Sequence, residues 1–146
     1  MFSTKIVSFI ALAFSLLILF PNVSHAESGA AKPGHKLVLQ ASDADTSKWN
    51  EVLVNAKNVQ AELGRENVKI EIVVFGRAID MLRIESVVGP RVAEALESGV
   101  KVIACQNSMR AQMITPADML PDITYATAAI VYLMEKQEEG YAYVRP

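Results

Sequence analysis

Short β-branched runs alternate along the chain with stretches whose apolar residues recur every three or four positions. Residues 36–41 form an apolar run that ends in the polar turn Ser42-Asp43-Ala44-Asp45. After it, Trp49, Val52, Leu53, Ala56, Val59 and Leu63 fall at helical spacing, with Asp45 or Thr46 as the N-cap and Gly64 as the stop. Residues 69–75 are rich in Ile and Val and close at Gly76, which predicts a second strand. A short helix is expected over 78–84, and a clearer one over 90–98, opened by Pro90 and ended by Gly99. Residues 100–105 are nearly all apolar, as in a strand covered on both faces. A further helix starts at 107–113, and 123–125 reads as a brief strand. Residues 126–139 predict a helix carrying Ile130, Leu133 and Met134 and ending at Gly140, and 141–144 a terminal strand. Strands alternating with helices predict an α/β layered domain with a mostly parallel sheet of about five strands.

The first 26 residues do not belong to this pattern. They hold 17 apolar residues and one charge, Lys5. Residues 6–20 are uncharged, Pro21 breaks the run, and Ser24-His25-Ala26 places small residues where a signal peptidase reads. As a helix the run would be about 22 Å long, short of the ~30 Å hydrocarbon core. A cleavable signal peptide over 1–26 is therefore expected, with an uncleaved anchor as the alternative. The mature chain would begin near Glu27 and be periplasmic or secreted, with no membrane association after cleavage. Residues 27–35 are small, polar and Pro/Gly-bearing and read as a flexible lead-in, leaving 36–146 as one domain.

Composition then narrows the function classes. The whole chain is 51% hydrophobic with a net charge of −2. Loss of Lys5 makes that −3, and no basic stripe exists, so nucleic acid is not an expected partner. A single cysteine excludes both a disulfide scaffold and a dithiol redox mechanism. No P-loop or dinucleotide fingerprint is present, and no cofactor is implied.

In parallel sheets, ligands and reactive groups gather beyond the carboxyl ends of the strands, which singles out the loops 42–46, 76–80 and 105–109. Cys105 is the sharpest candidate among them. It is expected at the end of the third strand, immediately before a helix start, where unpaired N–H groups favour the thiolate. Arg110, one turn on, could add positive charge. The competing reading is a buried cysteine acting as a small hydrophobe. Cys105, Met109 and Met113 form a sulfur series that could suit Cu(I), although Cys105 on the strand breaks the helical register and methionine at this spacing usually fills a core. The turn at Asp43 and Asp45 could bind a divalent cation, with helix capping the stronger reading. His35 lies in the lead-in, away from any nucleophile.

The segment Lys101-Val-Ile-Ala-Cys-Gln-Asn-Ser-Met-Arg110 resembles the cysteine segment of the DsrE/DsrF-like proteins. The opening strand and turn of residues 36–45, the Leu120-Pro121 turn and the closing Gly140-Tyr-Ala-Tyr-Val-Arg-Pro146 are similar as well. The resemblance implies a flavodoxin-like three-layer fold and a homo-oligomer, often a trimer or hexamer. In the sulfur-relay branch, the cysteine after the third strand carries a persulfide and exchanges sulfur with a donor or acceptor protein. That role would fall on Cys105. Relay members follow this cysteine with small residues and paired basic residues and are intracellular; here Gln106-Asn107-Ser108-Met109-Arg110 follows, behind an export signal. The alternative is an oligomeric binding or assembly module in which Cys105 is structural. Nothing beyond one cysteine forms a substrate-shaped constellation, so the sequence specifies no enzyme.

Overall fold

The computed structural model describes residues 34–146; the expected signal peptide and the lead-in up to residue 33 lie outside them. The elements are β1 (His35–Ala41), α1 (Thr46–Leu63), β2 (Val68–Val74), a 3-10 segment (Gly76–Leu82), α2 (Gly89–Glu97), β3 (Lys101–Cys105), α3 (Gln106–Ala111), β4 (Thr124–Ala126), α4 (Ala129–Glu138) and β5 (Ala142–Val144). Every strand pair is parallel, in the order β4-β3-β2-β1-β5. Helices flank the sheet on both faces, as in a flavodoxin-like three-layer sandwich.

The order of strands explains how unequal those faces are. From β1 to β4 the chain steps along the sheet in one direction, and α1, the 3-10 segment, α2 and α3 pack on one face. That face holds 23 buried residues in one cluster, including Leu39, Trp49, Ile72, Ile79, Leu82 and Met109. After β4 the chain crosses back over the opposite face as α4 and adds β5 beside β1. The second cluster has only seven buried residues: Val38, Val73, Ile103, Cys105, Ala129, Leu133 and Tyr141. We call the two sides the α1 face and the α4 face.

α1 follows from its sequence directly. The Asp45 side chain accepts from the Ser47 N–H at 2.8 Å, which satisfies one orphan donor of the first turn. Trp49, Val52, Leu53 and Ala56 face the sheet, and Gly64 (φ 86°) ends the helix. Three boundaries differ from expectation, as does the buried face of the last helix. His35, placed in the lead-in, is the first residue of β1 and pairs with Val68. The helix expected over 78–84 is the 3-10 segment, which begins at Gly76 with φ 58°, a conformation that favours glycine. The last long helix starts at Ala129 rather than 126, because Thr124–Ala126 pair as β4 with Ile103, Ala104 and Cys105. Of the residues expected to anchor that helix, Leu133 is buried, whereas Ile130 and Met134 are more than half exposed.

Candidate functional site

The chain leaves β3 toward the α1 face, where Met109 of α3 is buried. It leaves β4 toward the α4 face. The sheet's topological switch point therefore lies between the carboxyl ends of β3 and β4, the place where doubly wound folds hold ligands and reactive groups. Cys105 is the residue found there: the last of β3, paired with Ala126, and the N-cap residue of α3. Of the three loops singled out by position, the 105–109 loop is the one at this switch.

Cys105 is 4% exposed and packs in the α4-face cluster with Val38, Val73, Ile103 and Leu133. Its Sγ donates weakly to the Thr127 carbonyl at 3.9 Å, and the same carbonyl accepts from the Asn107 N–H at 3.2 Å. Burial pushes the thiol up. The Ser108 hydroxyl and the backbone N–H groups of Ser108, Ala129 and Asn107 outweigh it, so the net shift is downward from the ordinary thiol value. Those donors belong to the first turns of two helices, α3 and α4, which converge on one sulfur.

The Ser108 hydroxyl is aimed by its own acceptor bond. Its oxygen accepts from the Gly76 N–H at 2.8 Å, which leaves its hydrogen free for the sulfur. The Gly76 carbonyl in turn accepts from the Gln112 side chain at 2.8 Å. Phe75 N–H bonds to the Ala41 carbonyl at 3.0 Å, so the ends of β1, β2 and β3 are tied beside the cysteine.

Arg110 stands on the exposed side of α3, its guanidinium donating to the Asn107 side-chain oxygen. The groups that lower the Cys105 thiol are dipoles, with no charged side chain among them. The sulfur series is not gathered: Cys105 belongs to the α4-face cluster, Met109 to the α1-face cluster, and Met113 is 91% exposed. Among the described residues no three His, Cys, Asp or Glu side chains cluster as a metal site. The acidic turn is engaged in structure. Asp45 caps α1, the Asp43 carbonyl accepts from the Trp49 indole at 2.7 Å, and the Asp43 carboxylate pairs with Arg145 at 3.2 Å.

One polar group escaped the sequence reading. Glu71, in the middle of β2, is 7% exposed on the α4 face. Its carboxylate accepts from Tyr132 at 2.7 Å and from Tyr141 at 3.1 Å, with the Lys136 ammonium 3.8 Å away. Burial and the neighbouring carboxylate raise both phenols, Tyr141 to about 12. In sequence, Glu71 looks like an outward residue of a half-exposed strand; the tyrosines that cover it lie 61 and 70 residues away.

Solved structures share the architecture. A protein of unknown function, MTH1491 from Methanobacterium thermoautotrophicum, is 28% identical with a TM-score of 0.74, over 77% of this chain and 99% of that one. BT1422 from Bacteroides thetaiotaomicron, also of unknown function, is 19% identical with a TM-score of 0.65, covering 81% of this chain and all of that one. The ychN protein from E. coli is 11% identical with a TM-score of 0.63, over 77% of this chain and 98% of that one. No protein-family model and no curated protein matches the chain. These likenesses establish the fold; the chemistry of Cys105 is argued from its own surroundings.

Proposed function

We propose that this chain is an exported DsrE/DsrF-like protein that carries sulfane sulfur on Cys105. The observation that carries the reading is the position of the thiol at the switch point, lowered by helix-start N–H groups and the Ser108 hydroxyl. A thiolate there attacks the outer sulfur of a donor persulfide R–S–SH. The S–S bond breaks, Cys105–S–SH forms, and R–S⁻ leaves; the transfer is redox-neutral and reverses toward an acceptor thiolate. The same N–H dipoles stabilise a persulfide anion. Arg110, on the exposed side of α3, is the candidate for guiding an anionic donor inward.

Copies of the chain associate, in this proposal, through the outer surface of α4, where Ile130, Val131 and Met134 are each more than half exposed. A second reading has one observation in its favour. Cys105 is 4% exposed among aliphatic side chains, as a structural cysteine would be in a binding or assembly module. The test is to treat the purified protein with a sulfane-sulfur donor and weigh the intact chain, with Cys105→Ser as control. A gain of one sulfur atom on the unaltered chain and none on the variant supports the carrier. A thiol that stays unmodified in the native protein but reacts after denaturation sinks it and leaves the structural reading.

A further inference from the structure

α4 lies over its sheet face with little apolar packing to locate it. Only Ala129 and Leu133 of its ten residues are buried, and its N-cap, Ala128, makes no side-chain cap. α1, by contrast, buries five residues and is capped by Asp45. Apolar burial is non-directional, so two such residues specify the slide and rotation of a helix weakly.

Beneath the first turns of α4 stands Glu71. A carboxylate among Val38, Val73 and Ile103 is costly unless it is hydrogen-bonded. It accepts from Tyr132 and Tyr141 and faces Lys136. Lys136 itself lies over the rings of Tyr132 at 5.1 Å and Tyr141 at 5.3 Å and pairs with Glu139 at 2.9 Å. From β1, Lys36 lies over the Tyr141 ring at 5.6 Å. Lys69 and Lys101 share this side of the sheet and are exposed. Buried ionic groups are often replaceable by apolar ones without loss of stability, and in some proteins what they supply instead is a fixed register.

Tyr132 follows Ala129 by three residues, so the two share one turn of α4. Ala129 and Cys105 belong to the same small buried cluster, with Tyr132 packed against it, and the Ala129 backbone N–H is among the groups that lower the thiol. We infer that Glu71 is a positioning residue for Cys105: by holding Tyr132 it fixes the first turn of α4, which keeps the Ala129 N–H on the sulfur. This inference rests on the reading of Cys105 as a reactive thiolate. The direct effect of the Glu71 charge has the opposite sign. Glu71 is level with Lys101, and Cys105 lies four residues beyond, about 13 Å at ~3.3 Å per residue. Removing a negative charge at that distance would favour the thiolate slightly, whereas loosening α4 disfavours it.

The experiment is the pH dependence of Cys105 alkylation by iodoacetamide in the purified protein and in folded variants with unchanged far-ultraviolet dichroism. The unaltered chain is expected to show a midpoint below that of an ordinary thiol. Tyr132→Phe moves the midpoint up and slows alkylation near neutral pH about fivefold, within the tenfold that one pKa unit allows. Glu71→Ala slows it similarly despite losing the negative charge. Glu71→Gln, whose amide oxygen still accepts from Tyr132, restores most of the rate. Tyr143→Phe is the control: it deletes a phenol on the same sheet face, bonded to Gln40, and leaves the profile unchanged. Profiles of Tyr132→Phe and Glu71→Ala that superimpose on the unaltered chain overturn the inference, as does an equal shift in Tyr143→Phe. If Glu71→Ala does not fold, Tyr132→Phe against Tyr143→Phe decides alone. An ordinary thiol profile in the unaltered chain overturns the reading of Cys105 itself, and this inference with it.

Discussion

The two faces of the sheet solve different problems with the same strands. On the α1 face, α1, α2, a 3-10 segment and α3 bury a continuous aliphatic layer around Ile72, Ile79 and Leu82. On the α4 face, one helix of ten residues covers a small cluster that contains a thiol and borders a carboxylate, three phenols and an ammonium. Burial is generous on the α1 face and sparse on the face that holds the thiol. The difference teaches that the α4 face is specified by hydrogen bonds more than by volume. It also locates the segment that opens most readily, since few buried apolar residues mean a low local opening free energy.

The sharpest way to break that contrast is to empty each face in turn. Ile79→Ala, at a site with no solvent exposure, is expected to cost about 2–5 kcal/mol of unfolding free energy, read from urea melts, while the alkylation profile of Cys105 stays in place. Leu133→Ala removes one of two buried residues of α4. It is expected to cost less globally, yet to speed amide exchange in α4 and raise the Cys105 midpoint. Equal effects on both readouts from both variants would show one cooperative layer rather than two.

Ser108→Ala probes where the faces meet. It deletes the hydroxyl that lowers Cys105 and leaves the Gly76 N–H without its acceptor. The expected loss is about 1–3 kcal/mol of stability for the unpaired group. Alkylation near neutral pH should slow about tenfold if the midpoint rises by roughly one unit. An unchanged midpoint would remove Ser108 from the site.

The smallest effect is one of pH. The phenols on Glu71 are raised in the folded protein, Tyr141 to about 12 from an ordinary 10.0. The folded state therefore holds these protons longer than the unfolded chain. Their stabilising contribution is complete below pH 10 and declines as pH rises through about 12. Cys105 has the reverse sign: lowered in the fold, it adds stability as pH rises toward the ordinary thiol value. Thermal melts between neutral and strongly alkaline pH should show an alkaline decline that is reduced in Tyr141→Phe. A decline of equal size in that variant would separate the phenols from it.

Much of this architecture is legible in the sequence, and the reasons it is legible also explain the gaps. A strand buried on both faces reads as a continuous run, as in residues 101–105, and Gly64, Gly76, Gly99 and Gly140 mark ends because all four adopt positive φ. Cys105 could be placed because a strand-to-helix junction is a local pattern. The inner side of α4 could not be read so well. Apolar residues stand at 130, 131, 133 and 134, too many for one stripe, and only the packing shows that Leu133 faces in while its neighbours face out. Its start was hidden because pairing with β3 draws Thr124–Ala126 into a strand. Glu71 was illegible for a deeper reason. Its burial depends on Tyr132 and Tyr141, which reach it only after the chain has crossed back over the sheet.

The indole of Trp49 donates to the Asp43 carbonyl and is buried on the α1 face, and it is the only tryptophan in the chain. The protein therefore carries a separate optical reporter on each side. Tryptophan emission follows the α1 face, whereas in a chain carrying Tyr125→Phe and Tyr143→Phe the tyrosinate absorbance comes from Tyr132 and Tyr141 alone and follows the side that holds the thiol. A titration in which the second signal moves before the first would catch the α4 face opening while the rest of the molecule is still folded.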